Sequence, residues 1–198
     1  MFLLTRPTPA AIARFLDGSR TQTFTYATPG ISETGAPGFA HDEIVAVIGR
    51  GDAAFARARE ALRQWAHFDV GWVEVHPREA AVESGANFAI LIRHLGFWSL
   101  NGCRIVSTIE AREPAQRAGF AYGTLGTHAE CGEEQFMVTL DAATGDVSYR
   151  LRAASRPRAL LARAGYPIAR LLQARFRRDS AAAIARAVSD PYTPQHSA

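Results

Sequence analysis

Hydrophobic and polar positions follow two rhythms along this chain. Residues 43–50 carry Ile44, Val45, Val47 and Ile48 and stop at Gly49-Arg50-Gly51, which reads as a strand closed by a turn. Asp52 is a good N-cap for a helix over 53–67. There Phe55, Ala58, Arg59, Leu62 and Trp65/Ala66 recur at spacings of three and four and make one apolar stripe. Six further strand signals follow, at 70–76, 87–95, 102–110, 117–123, 133–141 and 146–154. The segment 87–95 is apolar on both faces (Phe88, Ala89, Ile90, Leu91, Ile92) and reads as a central strand. Elsewhere the period is two. Cys103, Ile105, Ser107 and Ile109 share one face, as do Phe136, Val138 and Leu140, and Val147, Tyr149, Leu151 and Ala153. Ala142-Ala143-Thr144-Gly145 is a turn and makes the last two strands a hairpin.

The ends follow other patterns. Residues 1–40 read as irregular, apart from a short helix over 10–16 that offers Ile12, Phe15 and Leu16. Pro29, Gly30, Gly35, Pro37 and Gly38 make 27–40 a loop. Pro157 opens a helical stretch to about residue 188, with Leu161, Ile168, Leu172 and Phe176 on one side and a kink expected at Pro167. The tail over 191–198 is expected to fray.

The order strand, helix, six strands, helix predicts an α+β fold with an antiparallel sheet. Such a sheet cannot bury both faces alone. A long helix across its concave face solves that. The expectation is a single helix-grip domain over 1–198: a curved seven-stranded antiparallel sheet wrapped around a long C-terminal helix, with room for a pocket between them.

The element order is similar to that of the START and birch-pollen-allergen superfamily. A narrower resemblance rests on motifs. Gly119-Phe120-Ala121-Tyr122-Gly123-Thr124-Leu125, then His128 and Gly132-Glu133-Glu134-Gln135-Phe136, resemble the signature of the DUF1990 family of bacterial and plant proteins. Ser155-Arg156-Pro157 with Leu161-Ala162-Arg163, and the segment from Gly51 to Ala58, are similar to two more of its motifs. Thr127 and Cys131 depart from the pattern, at places where the family carries Pro and Arg or Ser. The resemblance spans roughly 41–180; it implies a fold and brings no activity with it.

Composition changes the picture in two ways. The chain of 198 residues is 47% hydrophobic and 21% charged, which excludes a disordered, collagen-like or disulfide-scaffold protein. All 22 basic residues are arginine, as in a GC-rich bacterial coding sequence, and they are unevenly placed. Residues 1–149 hold 12 Arg against 17 acidic residues, whereas 150–198 hold 10 Arg against 2 Asp. A basic end on an acidic body means an internal electrostatic match or an anionic partner. Arg156, Arg163, Arg170 and Arg177 stand seven apart and stack on one helix side as a candidate anion-binding stripe. Arg150 and Arg152 are expected to pair with Glu110 or Asp141 across the sheet. The apolar run Met1-Phe2-Leu3-Leu4 is too short for a signal peptide, and two thiols suit a reducing compartment, so the expected location is cytoplasmic. Cys103 is expected buried, and Cys131 in a loop open to oxidation.

No GxGxxG after a strand, P-loop, GxSxG, CxxC or HxxxH pattern occurs, so no cofactor, metal or nucleic-acid partner is implied. His128, Glu130, Glu133 and Glu134 carry donor atoms, but Glu133 and Glu134 point to opposite faces of a strand. Their plain reading is a solvated loop with a Glu–Arg pair. Tyr122, His128 and Glu134 are the candidate catalytic group, a proton relay beside a pocket. Against that stands a structural reading, in which Gly119, Gly123, Gly126 and Gly132 shape a tight connection around a packed tyrosine. Among the large aromatics, which include Trp72, the candidate ligand-contacting set is Trp65, Phe88, Trp98, Phe120, Tyr122, Phe136 and Tyr149. The leading expectation is a module that holds a small apolar or amphipathic molecule. The alternatives are a cyclase- or hydrolase-like enzyme on the same ligand, and an interaction protein that docks through the arginines.

Overall fold

A computed structural model of the chain describes residues 1–94, 96–158 and 165–189. Its strands are β1 (Phe2–Leu3), β2 (Ala40–Arg50), β3 (Val73–His76), β4 (Asn87–Arg93), β5 (Trp98–Ala111), β6 (Gln116–Thr124), β7 (Glu130–Leu140) and β8 (Asp146–Pro157). The helices are α1 (Pro9–Ser19), α2 (Ile31–Thr34), α3 (Gly51–Arg63) and α4 (Tyr166–Ser189). One antiparallel sheet runs β2-β8-β7-β6-β5-β4-β3, with β1 added alongside β5. The seven expected strands are all present, and α3 and α4 cover one face of the sheet, so the α+β helix-grip arrangement holds. That face buries Ile48, Phe88, Ile90, Ile105, Phe120, Phe136, Val138, Tyr149 and Leu151 against Ala58 and Leu62 of α3 and Ile184 and Val188 of α4. Among the described residues no helix is long and apolar enough to cross a membrane.

Several expectations change. Strand β4 is apolar on both faces but is not central: it lies next to the edge strand β3. Its outer residues Ala89 and Leu91 are buried by Leu100, by Ile12, Phe15 and Leu16 of α1, and by Leu3 of β1. The N-terminal segment is therefore more ordered than expected: Thr8 caps α1, and α2 forms inside the presumed loop. Helix α3 stops at Arg63, because Trp65 takes a left-handed backbone (φ 60°) ahead of a 3-10 turn, Ala66–Phe68. Pro157 does not open a helix. The residue before a proline favours extended backbone, so Arg156 continues β8 beside Cys131 and Pro157 pairs with Glu130. Pro167 falls in the first turn of α4, where it starts a helix rather than kinking one. Leu95, Leu161, Arg163 and the tail over 191–198 lie outside the described residues.

Candidate functional site

The C-terminal half of α4 is rich in small residues. Ala181, Ala183 and Ala187 let it settle onto the sheet and α3. The N-terminal half stands further off, with Ile168 56% and Leu171 71% exposed. Between that half and the inner faces of β3–β7 lies a cavity of about 630 Å³. Ile90 and Ile92 of β4, Phe68, Trp72, and Leu172 and Phe176 of α4 give it apolar walls, and Phe2–Leu4 and Phe97 flank it.

Its polar groups come mostly from alternate residues on three strands. Tyr122 on β6 sits opposite Glu134 on β7 and donates its hydroxyl to Glu134 Oε2 at 2.6 Å. Glu130, four residues earlier on β7 and so on the same face, accepts from Gln173 Nε2 of α4 at 2.8 Å on both oxygens. Asn101 and Ser99 of β5 hold one another, with Asn101 Nδ2 to Ser99 Oγ at 3.0 Å. Ser99 also meets His94 Nε2 at 2.7 Å. His128 lines the same cavity, and its Nδ1 accepts from the Glu130 backbone N–H at 3.0 Å.

Burial governs the protonation here. It pushes the Glu134 carboxyl up to about 7, reinforced by the nearby Glu130 charge and opposed by the Tyr122 hydroxyl. Glu130 is raised too, again by burial first. The imidazoles move the other way: burial lowers His94 and takes His128 down to about 3. A carboxyl with an ordinary value of 4.5 that keeps its proton to about 7 when folded adds stability below 4.5, and that stability is lost as pH rises through 7. Between pH 5 and pH 8, Glu134→Gln is therefore expected to lose about 2 kcal/mol less stability than the parent chain. Urea unfolding at both pH values measures this, and identical losses would show that Glu134 titrates normally.

The structure sorts the candidates unevenly. Tyr122, His128 and Glu134 all face the cavity; the first two of a relay, Tyr122 and Glu134, touch, while His128 bonds to backbone. Of the aromatic set only Tyr122 lines the cavity. Trp65, Phe88, Phe120 and Phe136 stack with His67 and Phe68 into solid core, and Tyr149 is buried with its hydroxyl on Ser180 at 2.6 Å. Trp98 lies on the outer face, with the Arg6 guanidinium 5.9 Å over its ring. The other large rings in the wall are Phe2, Phe68, Trp72, Phe97 and Phe176, all outside that set, and Asn101 and Gln173 add polar groups that an aromatic criterion does not reach. The inward phase of β4–β7 points to Ile90, Asn101 and Glu130 as well as to Tyr122, so strand phase was the better signal.

The arginine stripe is largely spoken for. Arg170 makes a two-pronged pair with Asp42 of β2 at 2.6 and 2.8 Å, and Arg177 meets the same carboxylate at 3.2 Å. Arg156 lies 4.7 Å over the Phe39 ring. The uneven charge is thus, at Arg170 and Arg177, an internal match. Arg150 and Arg152 pair with Glu43 of β2, which lies beside β8; Glu110 is on β5, which does not, and Asp141 sits at the turn after β7, where it meets Asp146 rather than the arginines.

The Gly132-Glu133-Glu134 segment is a strand, not a solvated loop, and among the described residues neither glutamate forms an ion pair with an arginine. Glu133 points away from the cavity and accepts from Tyr26 Oη, from the Gly30 and Ser32 amides and from Ser32 Oγ at 2.5–3.2 Å. It pins the segment before β2 to the sheet. Cys131 is buried on β7 with its thiol on the Thr25 carbonyl at 3.2 Å, so it is not the exposed loop thiol expected.

Comparison with known proteins agrees with the motif resemblance. The chain is 36% identical over 197 residues to a UPF0548 protein of Deinococcus radiodurans, covering 94% of this chain and 98% of that one. It is 29% identical over 215 residues to a UPF0548 protein of Dictyostelium discoideum, covering 99% and 100%. Among solved structures, Ara h 8.0201 is similar at 14% identity and a TM-score of 0.45, over 77% of this chain and 99% of that one. The model of one family, described as Domain of unknown function (DUF1990), matches residues 9–183, and the chain belongs to that family.

Proposed function

We propose that this protein binds a small, largely apolar ligand between the sheet and the N-terminal half of α4. The cavity carries the reading: about 630 Å³ falls within the roughly 300–1,000 Å³ of small-molecule sites. Aliphatic and aromatic side chains make most of its wall, and a few convergent polar groups give it an orientation. Two free buried thiols, Cys103 and Cys131, suit the cytoplasmic location expected from the sequence. Docking of an anionic partner through the arginine stripe finds less support, since Asp42 already holds Arg170 and Arg177.

Native mass spectrometry of the protein as purified, followed by titration with 1-decanol as a neutral apolar probe, tests this. A stoichiometric complex is expected. Ala169 lines the cavity from α4, so Ala169→Trp is expected to fill it and weaken decanol binding at least about tenfold, or ~1.4 kcal/mol, with the far-UV spectrum unchanged. No decanol binding, or binding equal in the two chains, would overturn the reading.

A second reading, catalysis on the bound ligand, has one observation in its favour. Tyr122 and Glu134 form a hydrogen-bonded pair facing the cavity, with a carboxyl near the pKa suited to general acid–base work at neutral pH. His128, neutral down to about pH 3, already accepts the Glu130 amide on Nδ1, so its proton sits on Nε2 and it serves as a hydrogen-bond donor rather than as a charge.

A further inference from the structure

The charged groups around the cavity do not balance. Asp42, Glu130 and Glu134 supply three carboxyls, and the two guanidiniums that face them, Arg170 and Arg177, are both engaged on Asp42. Glu130 receives only the neutral Gln173 amide, and Glu134 only the neutral Tyr122 hydroxyl. Among the described residues no hydrogen bond reaches the second oxygen of Glu134, and no arginine lines the cavity. Its remaining titratable wall is His94 and His128. The other groups facing Glu134 are Cys103 and Tyr149, both buried and neutral. Among the described residues the polar end of the cavity is thus an acidic corner in which no cation is bonded to Glu130 or Glu134, the charges of Arg170 and Arg177 reaching them only from their seat on Asp42, at the head of an apolar chamber.

We infer that the cavity selects an amphiphile with an ammonium head, the ammonium seated on Glu134 and the chain lying among Ile90, Ile92, Leu172 and Phe176. This rests on the reading of the cavity as a ligand site and names its ligand class. An ammonium supplies the missing positive charge and donates to the open carboxylate oxygen. A carboxylate head would add a further negative charge to the same corner, and a hydroxyl would offer one neutral hydrogen bond.

Titration calorimetry with decylamine, 1-decanol and decanoate, which share a chain length, tests this below their aggregation limits. At pH 8 decylamine is expected to bind at least about tenfold more tightly than decanoate. Its affinity is expected to rise about tenfold from pH 5.5 to pH 8 as Glu134 ionises, because an alkylammonium stays charged well past that range, as lysine does with its pKa of about 10.4. Decanol affinity should stay flat. Glu134→Gln should collapse the ratio of amine to alcohol affinity to near one; should that variant not fold, the pH series on the parent chain still decides. Decanol bound as tightly as decylamine at pH 8, or decanoate bound more tightly, would overturn the ammonium inference and leave the pocket standing. Failure of all three probes would overturn the pocket itself.

Discussion

Gly132→Ala is expected to lower the unfolding free energy by about 3 kcal/mol or more, and Gly119→Ala to do the same. A Cβ on Gly132 would stand 2.1 Å from the Ala154 carbonyl oxygen and 2.9 Å from Ser155 Cα. On Gly119 it would stand 2.1 Å from the Phe136 carbonyl oxygen and 2.8 Å from Met137 Cα. These neighbours are backbone of the adjacent strand, so no side-chain rotation relieves the clash. Strands β7 and β8 must part in the first case, β6 and β7 in the second. Both cases disturb β7, which carries Glu133 into its cage of Tyr26 and Ser32 and Glu134 into the cavity. Urea unfolding at neutral pH gives the stability change. Either variant falling within about 0.5 kcal/mol of the parent would show that the strands accept a methyl group between them.

These two glycines also show how far the sequence could be read. Both stand in the motif that resembles the family signature, and their clustering with Gly123 and Gly126 reads as a tight connection. They sit instead inside long paired strands, where the partner backbone comes too close for a side chain. Local pattern does not reveal such a requirement, because it depends on a strand distant in sequence. The strands themselves were legible, since alternation at Phe136, Val138 and Leu140 or Val147, Tyr149 and Leu151 is a local property. The position of β4 was not. Its two apolar faces were read correctly, but the cover on the outer face is α1 rather than more sheet, and that choice is made by tertiary packing.

The site divides in the same way. Tyr122 and Glu134 could be named from the motif, because opposite polar residues on adjacent strands of one hairpin tend to meet. Choosing aromatic residues by size found the core instead of the cavity. Trp65, Phe88, Phe120 and Phe136 fill space with one another, whereas the cavity lies where the N-terminal half of α4 stands away from the sheet. That offset depends on where α4 begins, and Pro157, which local pattern offers as its start, belongs to β8. The partner of the arginines was hidden for a related reason. Asp42 precedes Arg170 by 128 residues, and only the pairing of β2 with β8 brings the edge strand under α4.

Asp42→Ala is expected to cost about 2–4 kcal/mol, somewhat under the roughly 3–5 kcal/mol for removing one partner of a fully buried ion pair. The Asp42 side chain is 12% exposed, against 30% for Arg170 and 15% for Arg177, so water screens the group only in part. Removal leaves two guanidiniums on α4 without their carboxylate, with only the charges of Glu130 on Arg170 and of Glu134 on Arg177 remaining in the cluster. Burial alone would raise the Asp42 carboxyl, but the Arg170 hydrogen bond and the charges of Arg177 and Arg170 outweigh it and hold it below its usual range. A depressed carboxyl gives stability that is fully present above its ordinary pKa and is lost as pH falls through the lower folded value. The deficit of the variant is therefore expected to be complete at pH 6 and to shrink below about pH 4. Asp42→Asn keeps the shape and loses the charge, so its deficit should follow the same pH course with a smaller size. The pair also ties the N-terminal half of α4, the roof of the cavity, to the edge strand β2. Loosening that tie should speed probe release, so Asp42→Ala should shorten the residence time of decanol although Asp42 does not line the cavity. A deficit at pH 6 under about 0.5 kcal/mol, with decanol release unchanged, would show that α4 is held by its alanine-rich C-terminal half alone.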